Sequence, residues 1–187
     1  GMLLGDLGLA ESLPPIRRLG RAGEVGAVEV ALPETGVPLA GQILSALDAE
    51  EMDAALLPVA NRRKRLLISD MDSTIIGQEC LDELADFAGL KAEVSAITER
   101  AMRGELDFEG ALTTRVAMLK GLALTALQQA YDARISLNTG ARTLVETMKA
   151  QGATTVLVSG GFTFFTGRVA EEAGFVAHRG NTLIDDG

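Results

Sequence analysis

The chain has 187 residues, 47% of them apolar, a mean hydropathy of +0.21, a formal charge of −9 and a pI near 4.7. That supplies apolar material for one substantial core plus a small appendage. The acidic balance excludes a nucleic-acid partner, whose phosphates require clustered cations.

No apolar run reaches membrane-spanning length, and the first residues lack the basic start and small-residue cleavage site of a secretory signal. Cys80 is the lone cysteine, so an internal disulfide is excluded and a reducing compartment fits. These features predict a cytoplasmic protein with no nucleic-acid and no membrane partner. The basic run Arg62-Arg63-Lys64-Arg65 reads as a solvated linker ahead of a buried strand.

Residues 1–65 are punctuated by glycines and by Pro14, Pro15, Pro33, Pro38 and Pro58, which confines regular elements to short pieces. Val25 to Leu32 reads as a strand, Leu39 to Ala49 as a helix and Asp53 to Val59 as a second strand. No constellation of side chains there suggests chemistry. The segment is predicted to be a small α/β appendage that regulates, braces or dimerises, the last making the protein a homodimer.

At Leu66 the pattern changes. Leu66-Leu67-Ile68-Ser69 is a continuous apolar run ending in Asp70-Met71-Asp72-Ser73-Thr74, as expected of a central strand that opens into a polar loop. Leu81, Leu84, Ala85 and Ala88 then stripe a helix closed by Gly89. Val94, Ile97 and Ala101 stripe a second that ends near Gly104. Asp107 is an N-cap for a third, with Phe108, Leu112, Val116 and Leu119 on one face. A fourth is predicted from Leu124 to Ala133. Together these form a helical insert at about 77–134, a lid over the first strand's carboxyl end.

Ala141 to Ala150 reads as a helix stopped by Gly152, and Thr154 to Val158 as a β-branched buried strand that ends in Ser159-Gly160-Gly161. A helix from Phe164 to Ala173, closed by Gly174, follows. Strands alternating with helices predict an α/β fold with a Rossmann-like parallel sheet over residues 66–187. Such sheets bind ligands at the carboxyl ends of their strands, where both polar motifs lie.

Two carboxylates at i and i+2 beyond a strand suit phosphoryl transfer: one attacks phosphorus, and the other gives and later takes a proton. Repulsion between carboxylate and phosphate calls for a hard, oxygen-loving cation such as Mg²⁺. A lone Asp-x-Asp is more often a pair of turn or cap residues. Ser159-Gly160-Gly161 adds an anion-binding concavity at the neighbouring strand end. The order of the motifs carries the signal.

That order resembles the haloacid dehalogenase superfamily and, within it, the phosphoserine phosphatases. The likeness spans about Leu66 to Gly187 and rests on Leu67-Ile-Ser-Asp-Met-Asp-Ser-Thr-Ile75 and Val156-Leu-Val-Ser-Gly-Gly-Phe162. It implies hydrolysis of L-phosphoserine, a small phosphate monoester, to L-serine and phosphate, the last step of serine biosynthesis. Asp70 would be nucleophile and metal ligand. Asp72 would be general acid and base, with its backbone carbonyl on the Mg²⁺. Ser159 and Gly160 would hold the phosphoryl group, helped by amides around Met71 to Ser73.

In the insert, the resemblance implies that Glu79 takes the substrate ammonium, that Arg115 forks onto its carboxylate and that Met102 and Phe108 close over it. On residue type alone, Glu79 is a helix-start charge and Arg115 a solvated surface residue. His178 is expected at the surface.

The family pattern continues with a lysine and a second acidic loop, Gly-Asp-Gly-x-x-Asp or Asn, and neither occurs before Gly187. Asp186-Gly187 is a hairpin signal without a return strand. The expectation is a truncated core that is nearly inactive beside an active parent. Two alternatives stay open: a phosphatase for another monoester such as phosphohomoserine, and a noncatalytic amino-acid-binding module built on residues 1–65.

Overall fold

The computed structural model describes residues 16–19, 26–32, 38 and 40–184. The chain divides into two compact units, Gly1–Arg63 and Lys64–Gly187. In the first, β1 (Arg17–Arg18) pairs antiparallel with β2 (Val28–Glu29), and α1 (Ala40–Asp48) follows. The strand expected over Val25–Leu32 shrinks to β2, with Val25 outside the described residues, as is Leu39 at the start of the expected helix.

The strand expected over Asp53–Val59 does not form. Leu56, Leu57 and Val59 are exposed and no ladder joins them to a neighbour among the described residues. Pro58 has no N–H to donate, and an apolar run with no second strand beside it has no sheet face to complete.

The second unit begins with β3 (Leu66–Ser69). The insert contributes α2 (Cys80–Phe87), α3 (Lys91–Met102), α4 (Phe108–Met118) and α5 (Thr125–Arg134). After it come α6 (Ala141–Ala150), β4 (Thr154–Phe162), α7 (Thr163–Ala173) and β5 (Ala177–Asn181). The three strands run parallel in the order β3-β4-β5, with Leu66 opposite Thr154 and Ser69 opposite Leu157. Parallel neighbours require crossover connections, and here each crossover carries helices.

Three details depart from the sequence expectation. Among the described residues β3 is an edge strand, not a central one, and it exposes Leu66 and Ile68 on one face. β4 does not stop at Val158 but continues through Ser159-Gly160-Gly161 to Phe162, with its register against β5 shifting between Val158 and Phe162. β5 itself, Ala-His-Arg-Gly-Asn, has no β-branched residue to announce it and is a strand because β4 pairs with it.

Local chemistry accounts for the helix ends. Asp107 caps α4 as its position suggests, accepting the Gly110 N–H at 2.8 Å. Gly174 ends α7 at φ 90°, a left-handed conformation that costs glycine little. One core joins Met71 and Ile76 after β3, Leu84 of α2, Val145 of α6, Leu157 of β4 and Phe165 and Val169 of α7, all essentially inaccessible. Each such side chain contributes about 1.5–3 kcal/mol by burial.

The insert leaves and re-enters this core through a clasp. Ile76 and Leu137 form an antiparallel bridge. Beside it Gln78 Nε2 donates to Ser136 Oγ at 3.2 Å, and the Ser136 N–H donates to Gln78 Oε1 at 3.1 Å. No helix among the described residues is long and apolar enough to cross a membrane.

Candidate active site

The loop that follows β3 is wound around a single carbonyl. Met71 O accepts from the N–H groups of Thr74, Ile75 and Ile76 at 3.3, 2.9 and 3.1 Å, while the Met71 side chain is fully buried. Ser73 reaches a left-handed φ of 49° to make the turn, a conformation that costs an L-residue about 1–2 kcal/mol. The turn leaves Asp70 exposed at the strand end, with Oδ1 accepting from the Met71 N–H at 2.8 Å.

Asp72 is more enclosed and both of its oxygens are engaged. Oδ1 accepts from the Cys80 N–H at 2.8 Å, which satisfies one of the free donors at the start of α2. Oδ2 accepts from Ser159 Oγ at 3.0 Å. Ser159 in turn accepts from the Gly161 N–H at 2.8 Å, and the Asn181 side chain donates to Gly160 O at 2.8 Å, fixing the loop from β5. The Asp-x-Asp and Ser-Gly-Gly motifs are therefore bonded to each other.

The insert supplies the opposite wall. Glu79 sits at the N-cap position of α2 but does not cap it; its carboxylate accepts from Ser73 Oγ at 2.7 Å instead. Burial pushes the Glu79 pKa above its ordinary 4.5, opposed by the Ser73 hydrogen bond and reinforced by the negative charge of Asp72. Arg115 is 8% exposed, contrary to the expectation for its residue type, with Nε donating to Ala111 O at 3.2 Å and Nη1 to Thr98 Oγ1 at 3.0 Å.

Met102 and Phe108 are 66% and 60% exposed and form an open apolar rim. The Phe108 ring lies against Gly160 so closely that a Cβ on that glycine would stand 2.7 Å from Cζ. Asp70, Asp72, Glu79, Met102, Phe108, Arg115, Ser159 and Gly160 all line one cavity of about 450 Å³. These are the eight residues to which the resemblance gave a catalytic, metal-binding or substrate-binding side chain or loop position.

Sequence reasoning missed Thr98, Ala101 and Leu106 in the same wall. Thr98 carried a signal: it lies at i+4 from Val94 and i−3 from Ala101, a hydroxyl on an otherwise apolar stripe. His178, expected at the surface, is half-buried with Nδ1 2.9 Å from Thr166 Oγ1. Cys80 is buried as expected, and burial together with Asp72 drives its thiol pKa far up, which keeps it unreactive.

Residues 67–187 match the haloacid dehalogenase-like hydrolases. The chain belongs to that family. It is 52% identical over 120 residues to a phosphoserine phosphatase of Polaromonas sp., a match covering 64% of this chain and 51% of that protein. A solved structure of a phospho-aspartyl intermediate analogue of phosphoserine phosphatase shares 35% identity at a TM-score of 0.63, over 67% of this chain and 60% of that one. A HAD family hydrolase from Salmonella enterica serovar Typhi superimposes at a TM-score of 0.80 with 30% identity, over 99% of this chain and 64% of that one. The chain spans about half the length of the curated relatives it matches.

In this chain the Asp-x-Asp turn lies at the carboxyl end of β3 and lines one cavity with the Glu79 carboxylate and the Arg115 guanidinium of the helical insert. The candidate ligands here, the Asp70 carboxylate and the Asp72 backbone carbonyl, are oxygens, and the Met71 hydrogen bond engages one of the two Asp70 carboxylate oxygens. Such a set suits a small hard cation that keeps most of its waters. Among the described residues no group of three or more acidic, His or Cys side chains is placed to hold a metal ion.

Proposed function

We propose that the chain carries the nucleophile and the cap of a Mg²⁺-dependent phosphatase that hydrolyses L-phosphoserine to L-serine and phosphate. The observation behind this reading is one cavity with an aspartate pair on its floor and Glu79 and Arg115 in its wall. A phosphate monoester bearing an ammonium and a carboxylate complements all four groups. The relatives named as phosphoserine phosphatases support the same substrate.

The Asp70 carboxylate attacks phosphorus, and the bond from phosphorus to the serine oxygen breaks. Asp72 gives its proton to the departing alkoxide. Water then attacks the aspartyl-phosphate and Asp72 takes the proton, so that Asp70 and inorganic phosphate are restored. Asp70 and the Asp72 carbonyl would hold the Mg²⁺, which when bound offsets the repulsion between carboxylate and phosphate. Ser159 gives up its bond to Asp72 Oδ2 to meet a phosphoryl oxygen, and that frees Oδ2 to carry a proton.

The described residues offer a cation one acidic side chain, Asp70, and the Asp72 backbone carbonyl here, so low turnover by the 187-residue chain is expected and ligand binding is the primary readout. Calorimetric titration with L-phosphoserine and Mg²⁺ is expected to show one saturable site, and phosphate release is expected to vanish in Asp70→Asn. Undiminished release by that variant would remove Asp70 from the chemistry. Equal binding of phosphohomoserine would widen the substrate to other monoesters.

A further inference from the structure

Arg115 does not stand alone in the wall of the cavity. It ends a polar chain that crosses three helices of the insert: Nη1 donates to Thr98 Oγ1 at 3.0 Å, Thr98 Oγ1 donates to Asp82 Oδ1 at 2.8 Å, and Ser95 Oγ donates to Asp82 Oδ2 at 2.7 Å. Asp82, Thr98 and Arg115 are all buried. None of the three roles was assigned from sequence except that of Arg115.

The direction of the chain is fixed by chemistry. A guanidinium can only donate, so Thr98 must accept from it. The single hydroxyl proton of Thr98 then goes outward, to the Asp82 carboxylate at 2.8 Å or to its own helix at Val94 O, 3.1 Å away. The charged acceptor makes the shorter and stronger bond. Arg115 is thus locked by two bonds, through Nε to Ala111 O and through Nη1 to Thr98.

What remains is the Nη2 amino group. No buried side-chain nitrogen or oxygen among the described residues lacks a partner, so Nη2 reaches open space, and the space that Arg115 lines is the cavity. No direct ion pair joins Asp82 to Arg115 among the described residues. A carboxylate in direct contact would occupy the fork and neutralise it. A hydroxyl between the two charges holds the fork in place and leaves its charge for a ligand.

We infer that Thr98 and Asp82 are positioning residues that aim Arg115 at a carboxylate in the cavity and so set the preference for amino-acid phosphates over phosphoamines. The inference deepens the reading of this site as one for L-phosphoserine and rests on it for the identity of the carboxylate. Because Thr98 touches Arg115 and not the phosphate, its effect belongs to the carboxylate end of the ligand.

The test compares binding of O-phospho-L-serine and phosphoethanolamine, which differ by that carboxylate, to the 187-residue chain with Mg²⁺. Thr98→Val, nearly isosteric, is expected to weaken phosphoserine about tenfold, the scale of one charge-assisted hydrogen bond, and to leave phosphoethanolamine unchanged. Thr98→Ser, which keeps the hydroxyl, is expected to retain the preference. Should valine unfold the insert, Asp82→Asn replaces it, with the preference falling in the same direction.

A second readout needs no ligand: the Arg115 Nε–H resonance is expected to exchange faster with water in Thr98→Val and to keep its wild-type exchange in Thr98→Ser, which retains the hydroxyl between Arg115 and Asp82. Equal weakening of both ligands, or an unchanged Nε–H, overturns the positioning role. A wild-type chain that binds both ligands equally overturns the L-phosphoserine reading instead, while the Nε–H measurement still decides whether Thr98 holds the guanidinium.

Discussion

The Ser159 hydroxyl donates to Asp72 Oδ2 at 3.0 Å, closing a contact between residues 87 positions apart. The other oxygen of the same carboxylate accepts from the first N–H of α2. Asp72 is thus a helix cap and a candidate proton carrier at once. The two readings that compete for a lone Asp-x-Asp describe different oxygens of one side chain.

This double use separates two substitutions. Asp72→Asn keeps an oxygen to accept from the Cys80 N–H, so stability is expected to stay within about 0.5 kcal/mol of wild type, as for a substitution that preserves its contacts. What phosphate release the chain shows is expected to be lost, since a general acid and base is worth about 10²- to 10⁴-fold. Asp72→Ala loses both, and its unfolding free energy is expected to drop by a further ~1 kcal/mol, the worth of an N-cap. Urea unfolding of the two variants checks this, and equal stability would deny the cap.

Gly160 carries a steric prediction. A methyl group at this position would stand 2.7 Å from the Phe108 ring, so Gly160→Ala must displace that ring. Phe108 is largely exposed and can swing away, hence stability is expected to change by less than about 1 kcal/mol. The rim, however, can no longer close, and the apparent Kd for L-phosphoserine is expected to rise about tenfold, or ~1.4 kcal/mol. In a Phe108→Ala background the added methyl is expected to be nearly silent; an undiminished effect there would place the clash elsewhere.

Glu79 makes stability depend on pH in a defined sense. Burial raises its pKa in the folded chain above the unfolded value near 4.5, so folding favours the protonated form. Its contribution is fully present below the unfolded pKa and is lost as pH rises through the raised folded value. Glu79→Gln, which can still accept from Ser73 Oγ, is therefore expected to melt above wild type at pH 7 and together with it at pH 4. A variant less stable than wild type at pH 7 would reverse the sign.

The residues that made the site legible were those whose chemistry is local. Asp70, Asp72, Ser159 and Gly160 lie beside apolar runs that read as strands, and the strand ends bring them together. Arg115 was visible only by resemblance, because burial of a charge depends on partners such as Thr98 and Asp82 that no local pattern pairs with it. The short β5 was illegible for a related reason: its five residues have little preference of their own and take their conformation from β4. In the N-terminal unit, Asp53–Val59 shows the reverse, an apolar run whose own preference had no partner to act through.

Arg168 tests how the insert is anchored to the sheet's helices. From α7 its Nη1 donates to Phe164 O at 3.0 Å and its Nη2 to Gln128 Oε1 of α5 at 3.1 Å. The guanidinium lies 3.6 Å from the Phe164 ring centroid and 6.0 Å from that of Tyr131, whose hydroxyl donates to Glu172 at 2.8 Å. Burial and the Glu172 carboxylate push the Tyr131 pKa up to about 12, so this donor persists across the neutral range. Lysine can carry the charge but can neither stack flat on the ring nor offer the rigid planar fork whose two separate nitrogens reach Phe164 O and Gln128 Oε1. Arg168→Lys is expected to lose about 1–2 kcal/mol, the sum of a partly exposed cation–π contact and a neutral hydrogen bond. Hydrogen exchange should then rise in α5 while β4 stays protected, since the contact joins the insert to α7 and leaves the ladder untouched. Uniform deprotection of both elements would mean that Arg168 supports the whole unit and not the anchorage of the insert.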